Sequence, residues 1–140
     1  MKRIFLDASV IFTAAHNPQG KAALLFELGR RGHWKLITSQ LAWEEARRNL
    51  FIKFPKSESR LKKLHQVLQI LANPSPKPCP IELPAKDQPI FQTALQDKAT
   101  HLLTGDKAHF GTYMNKPSET REIVIQTVSD FFLELIEIDK

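Results

Sequence analysis

Apolar residues recur along the chain in short runs separated by polar or Pro/Gly-rich breaks, the pattern of alternating buried strands and amphipathic helices. RIFLDASVIF is rich in Ile, Leu, Val and Phe and alternates little, which predicts a first strand buried on both faces, as in a parallel sheet. HNPQG breaks that run. KAALLFELGRRG predicts a helix ended by Gly32, and HWKLIT a short second strand. Ser39 is a fitting N-cap for a helix over QLAWEEARRNLFIKF, which Pro55 stops. Ser57 is placed to cap a further helix over ESRLKKLHQVLQILA, where Leu61, Leu64, Leu68 and Leu71 fall at helical spacing with lysines between them.

NPSPKPCPIELP holds five of the nine prolines and reads as an internal connection, with CPIEL lying along the sheet. DQPIFQTALQDKA predicts a helix with Pro89 in its first turn. THLLT is a buried strand, GDKAHFGTYMNKPSETR a loop, and EIVIQT another strand. Ser129 is expected to cap the closing helix DFFLELIEI. Strands alternating with helices argue for an α/β fold, a mainly parallel sheet with helices on both sides. Neither side of the Pro-rich stretch is large enough to stand alone, so residues 1–140 are expected to form one domain.

Composition narrows the setting. Apolar content of 42% and charged content of 25% are those of a globular protein, and no apolar run approaches the roughly 18–20 residues of a bilayer span. MKRIFLDASVIF has a basic front, but Asp7 interrupts the apolar run after three residues, so it reads as a strand and not as a signal peptide. The lone Cys79 has no disulfide partner, and His16, His33, His65 and His101 are too scattered for a zinc cluster. A reducing cytoplasmic location, with no membrane association, fits these features. The net charge of +5 is uneven: residues 1–70 carry 13 Lys+Arg against 5 Asp+Glu, and residues 71–140 carry 7 against 10. The basic half is either a polyanion-binding surface or a set of solvated helix faces.

The acids decide more than the total charge does. Function in an open α/β sheet collects beyond the carboxyl ends of the strands. Asp7 follows IFL and Asp106 follows LLTG, each at such an end; alone, either is explained by a turn or cap. Asp87 begins a helix, where an acid also complements the helix dipole. Glu44 has Arg47 and Arg48 at i+3 and i+4, the spacing of an exposed ion pair. Glu45 has Leu41 and Ala42 before it and Asn49 at i+4, so it borders the apolar side of the helix without a basic partner. Glu45 is therefore the candidate and Glu44 its surface neighbour. Asp7, Glu45, Asp87 and Asp106 together make an oxygen-rich site suited to Mg²⁺ or Mn²⁺. A metal-dependent phosphatase would want an acid where Ser9 stands, a receiver-like protein would want adjacent acids on the first strand, and no glycine-rich nucleotide loop is present.

FLDASVIFTAA, TSQLAWEEARRNL, DQPIFQTALQDKATHLLTGDKAHFG and IVIQTVSDFFLEL, in that order, resemble the PIN domain over nearly the whole chain. The resemblance is to the small prokaryotic PIN proteins that include the ribonuclease toxins of type II toxin–antitoxin pairs. It implies a three-layer α/β/α fold and a metal-dependent ribonuclease using Mg²⁺ or Mn²⁺. It carries Asp7, Glu45, Asp87 and Asp106 over as catalytic and metal-binding acids. Ser9 and Thr104 match the family's supporting hydroxyls, and Asn49 joins them in support of the acids. Arg47, Arg48, Lys53, Lys56, Lys62 and Lys63 are the candidates for RNA backbone contact. RNA, an antitoxin protein and a second copy of the chain are the expected partners, the last two through the leucine-striped helical pair. Many relatives carry another Asp three residues after the fourth acid, where this chain has His109. That residue either bonds a phosphate or RNA, helps hold a softer ion such as Mn²⁺, or is a plain loop residue. A direct ligand role is not expected, because four acids suffice for one or two hydrated ions. The alternative function is a catalytically silent PIN module that binds RNA or a protein.

Overall fold

The chain's structure, a computed structural model, describes residues 1–138; positions 139 and 140 of the expected domain lie outside the described residues. Five strands form one all-parallel sheet: β1 (Arg3–Leu6), β2 (Lys35–Ser39), β3 (Leu68–Leu71), β4 (His101–Leu103) and β5 (Val124–Gln126), in the order β3-β2-β1-β4-β5. Phe5 pairs with Ile37 on one side and Leu102 on the other, and Leu102 pairs in turn with Ile125. Successive residues of a strand point to opposite faces, and Ile4, Phe5 and Leu6 are all fully buried, so both faces of the sheet are covered. The helices are α1 (Ala8–His16), α2 (Lys21–Arg30), α3 (Gln40–Lys53), α4 (Glu58–His65), α5 (Gln88–Gln96), α6 (Lys107–Phe110) and α7 (Val128–Ile138). No helix among the described residues is long and apolar enough to cross a membrane.

Five local expectations are corrected. The first strand ends at Leu6, and ASVIFTAAH is helix α1. Its apolar density reflects burial among α2, α3 and α4, not a place in the sheet. The leucine-striped helix stops at His65: Leu61 and Leu64 belong to α4, while Leu68 and Leu71 lie on β3 at the sheet edge. CPIEL, expected to lie along the sheet, forms no strand; β3 holds the sheet edge instead. Ser57 does not cap α4 but accepts a hydrogen bond from Arg60, whose guanidinium also closes the last turn of α1 through the carbonyls of Ala15 and His16. Thr127, not Ser129, caps α7, its hydroxyl accepting from the Asp130 amide at 3.1 Å. Ser39 caps α3 as expected, accepting from the Ala42 amide.

The strand order reverses between β1 and β4. The chain runs outward from β1 through β2 to β3 on one side and from β4 to β5 on the other. A crevice forms at such a switch point beyond the strand ends.

Candidate active site

Leu6 and Leu103 are paired in the sheet, so the residues that follow them, Asp7 and Thr104, emerge side by side at its carboxyl edge. Asp7 caps α1, with Oδ1 accepting from the Ala8 amide at 2.8 Å. Its Oδ2 accepts from the hydroxyl of Thr104 at 2.7 Å, and that hydroxyl accepts from the Asp106 amide at 3.0 Å. One buried threonine thus fixes both the first acid and the backbone of the fourth. Asp106 in turn caps the short α6, with Oδ1 accepting from the His109 amide at 3.1 Å. The segment expected as a plain loop therefore begins with a capped helical turn. Ser9 stands apart from this set: its hydroxyl accepts from the Gly105 amide at 2.9 Å, so it steadies the turn before Asp106 and not Asp7 itself.

Asp87 precedes α5 but makes no side-chain cap bond to it. It is only 7% exposed, and its Oδ2 lacks a hydrogen-bond partner of acceptable direction. Burial pushes the Asp87 carboxyl above the usual carboxylate range and Asp106 adds to this, while His109 and Lys86 pull the other way. Burial also raises Asp7, against the hydrogen bonds from Thr104 and Ala8; the carboxylates of Glu45 and Asp87 raise it further. Such mutual repulsion among buried acids is a cost that a cation relieves.

The acids face a cleft of about 500 Å³ lined by Asp7, Ser9, Glu45, Asn49, Asp87 and Asp106, with Arg48, Lys53 and Lys86 as its basic groups and Phe12, Leu41, Pro89 and Ile90 as its apolar ones. Glu45 is an exposed residue on the cleft wall, not a buried edge of α3 as its neighbours suggested, since Leu41 is itself 45% exposed. Arg47 pairs with Glu44 at 2.8 Å and does not line the cleft, whereas Arg48 does. Lys56, Lys62 and Lys63 are exposed away from the cleft, and Trp43 is buried edge-on against His65. Lys86 and Phe12 escaped the sequence reading. Phe12 lies at i+3 from Ser9, a signal visible only once residues 8–16 are read as helix. Lys86 was signalled solely by its adjacency to Asp87.

His109 lies in an unexpected place. Its Nδ1 is 2.9 Å from Asp87 Oδ2 and 2.8 Å from Asp106 Oδ2. Neither Nδ1 nor Asp87 Oδ2 completes a hydrogen bond of acceptable direction. Buried polar atoms that converge without satisfying one another have the arrangement of donors that share a cation. The residues present therefore suit a divalent ion, with Asp87 and Asp106 as the converging carboxylates.

A family model described as PIN domain matches residues 3–108. No curated protein matches the chain. Among solved structures, VapBC2 from Rickettsia felis, bound to a DNA fragment from its promoter, is similar with a TM-score of 0.63 and 15% identity, covering 89% of this chain and 98% of that one. VapC20 from Mycobacterium tuberculosis, a sarcin–ricin loop cleaving toxin, is similar with a TM-score of 0.58 and 12% identity, covering 79% and 95%. VapBC-1 from nontypeable Haemophilus influenzae gives 0.56 and 14%, covering 91% and 98%. At these identities the likeness is one of fold.

Proposed function

The chain belongs to the PIN-domain family, and from that premise we propose that it is a metal-dependent ribonuclease, one domain over residues 1–140, that hydrolyses RNA phosphodiester bonds in the cleft of Asp7, Glu45, Asp87 and Asp106. The observation that carries this reading is the buried Asp87, whose Oδ2 neither caps its helix nor completes a hydrogen bond of acceptable direction while converging on Asp106 at the cleft.

Asp87 and Asp106 would hold Mg²⁺ or Mn²⁺ with Asp7 and Glu45 completing the acidic wall. Such an ion, when bound, polarises the phosphoryl oxygen and makes a water more acidic. Glu45, exposed at the wall, is placed to orient the attacking water and take its proton. Thr104 keeps Asp7 in one rotamer, and Ser9 and Thr104 together hold the Asp106 turn. Arg48, Lys53 and Lys86 would bind flanking phosphates. In-line attack leaves a 5′-phosphate and a 3′-hydroxyl. The test is incubation of single-stranded and structured RNA with Mg²⁺ or Mn²⁺, with and without chelator, and analysis of the product ends. Chelator-sensitive cleavage with 5′-phosphate ends supports the reading; cleavage that persists in chelator contradicts it.

The toxin reading belongs to the same proposal. VapBC neighbours are toxin–antitoxin assemblies, and Phe51 and Ile52 on α3 are 69% and 72% exposed, which supports a protein partner. A second copy of the chain is the other candidate for that surface, and a cytoplasmic setting suits both. One observation favours the silent-module alternative: both oxygens of Asp7 and one of Asp106 already accept structural hydrogen bonds. RNA binding without cleavage in either metal would select it.

A further inference from the structure

We propose that His109 is a nitrogen ligand of this metal site, and that it makes the site select Mn²⁺ over Mg²⁺. The inference rests on the metal-dependent reading above and specifies which donors the ion meets.

The geometry starts from α6. Asp106, the N-cap of α6, and His109 stand at i and i+3, one turn apart. The Asp106 cap bond to the His109 amide fixes that turn, so both side chains project in a set direction. Asp87 reaches the same point from the start of α5. The donor atoms Asp87 Oδ2, Asp106 Oδ2 and His109 Nδ1 all lie within 4.8 Å of one another.

The distances are those of a coordination shell. Ligands about 2.0–2.1 Å from an octahedral ion sit about 2.8–3.0 Å from their cis neighbours. Nδ1 lies 2.9 and 2.8 Å from the two carboxylate oxygens. A ring N–H points along one axis and can serve one acceptor, yet two acceptors flank this nitrogen and neither bond is made in acceptable direction. A hydrogen-bonded ion pair explains one close approach; a shared ion explains both. Asp87 is more than nine-tenths buried, and its unpartnered oxygen is aimed at this point.

Ligand chemistry then sets the preference. Mg²⁺ takes carboxylates and water and dehydrates reluctantly, whereas imidazole suits the transition ions. An Asp–Asp–His corner therefore costs Mg²⁺ more than it costs Mn²⁺.

The experiment is calorimetric titration of Mn²⁺ and Mg²⁺ into the metal-free full chain and into His109→Asp and His109→Gln. Electron spin-echo spectra of the Mn²⁺ complexes accompany it. The expected result is tighter binding of Mn²⁺ than Mg²⁺ by the natural chain and imidazole nitrogen modulation in its spectrum. In His109→Asp that modulation disappears and the Mn²⁺/Mg²⁺ affinity ratio falls by roughly tenfold or more. Circular dichroism melts of both variants confirm that they fold, and His109→Gln supplies the comparison without added charge. If His109 is only an ion-pair partner, His109→Asp changes affinity for both ions alike, the ratio holds and no nitrogen modulation is seen at any stage. That result overturns the inference and leaves the nuclease reading standing. Failure of the natural chain to bind either ion overturns both.

Discussion

The hydroxyl of Thr104 donates to Oδ2 of Asp7 at 2.7 Å, joining residues 97 positions apart at the ends of β1 and β4. The Thr104 hydroxyl oxygen also accepts from the Asp106 amide, so the bridge sets the spacing of two acids. Thr104→Val keeps the shape and removes both bonds in a fully buried place. It is expected to lower unfolding stability by about 1–3 kcal/mol and to reduce kcat for RNA cleavage, while Thr104→Ser stays near the natural protein. Denaturant unfolding and single-turnover cleavage check this; equal behaviour of the two variants would show that the bridge does nothing.

Asp87 is held above its ordinary pKa by burial. As pH rises the unfolded chain ionises first, so the folded state binds more protons between the two values, and stability falls with rising pH across that window. In chelator at pH 7, Asp87→Asn is therefore expected to melt higher than the natural chain. Saturating Mn²⁺ reverses the order, since an ion at a hundredfold its Kd stabilises the natural chain by about 2.7 kcal/mol. Calorimetric melts in chelator and in Mn²⁺ read both effects, and a lower melting temperature for Asp87→Asn in chelator would contradict the electrostatic account.

His101 shows the opposite sign. Burial, with a smaller contribution from Lys2, pushes its imidazole down to about 4 from the ordinary 6.5. Between these values the unfolded chain takes up a proton that the folded chain refuses, so stability is lost as pH falls from about 6.5 toward 4. His101→Leu, placed edge-on to Phe131, is expected to flatten that part of the pH–stability curve. Urea midpoints measured between pH 4 and 7 check it, and an unchanged slope would show that other groups cause the loss.

The basic residues divide by position. Arg48 and Lys53 line the cleft, while Arg47 is held by Glu44 outside it. Arg48→Ala and Lys53→Ala are each expected to weaken RNA binding and to reduce the slope of log affinity against log salt by about 0.7. Arg47→Ala is expected to leave both unchanged. Fluorescence anisotropy over a salt series separates these outcomes; equal effects at all three positions would favour diffuse charge attraction over a cleft.

The places of Asp7 and Asp106 beyond strands were legible because IFL and LL are short apolar runs followed at once by polar residues, although the first strand as read from the sequence extends through VIF, which is helix. Pairing of Leu6 with Leu103 then brings Asp7 beside Thr104, a relation the sequence only implied through the likeness of the two ends. Helix α1 was hidden because it is packed on several sides, so its 3.6-residue period is blurred; Asp7 as N-cap and the pair Ala14 and Ala15 were the local signs. Strand β3 was hidden for the opposite reason: Leu61, Leu64, Leu68 and Leu71 continue a helical period past the point where the chain turns. His109 was out of reach of any local pattern. Its meeting with Asp87 depends on where α5 starts relative to α6, which is a tertiary fact.

The most direct measurement is single-turnover cleavage of RNA in Mn²⁺ by the natural chain and by Asp87→Asn, each repeated in excess chelator. The account predicts cleavage by the natural chain alone, abolished by chelator and restored by added Mn²⁺, with 5′-phosphate ends on the products. Undiminished cleavage by folded Asp87→Asn, or cleavage indifferent to chelator, would contradict it.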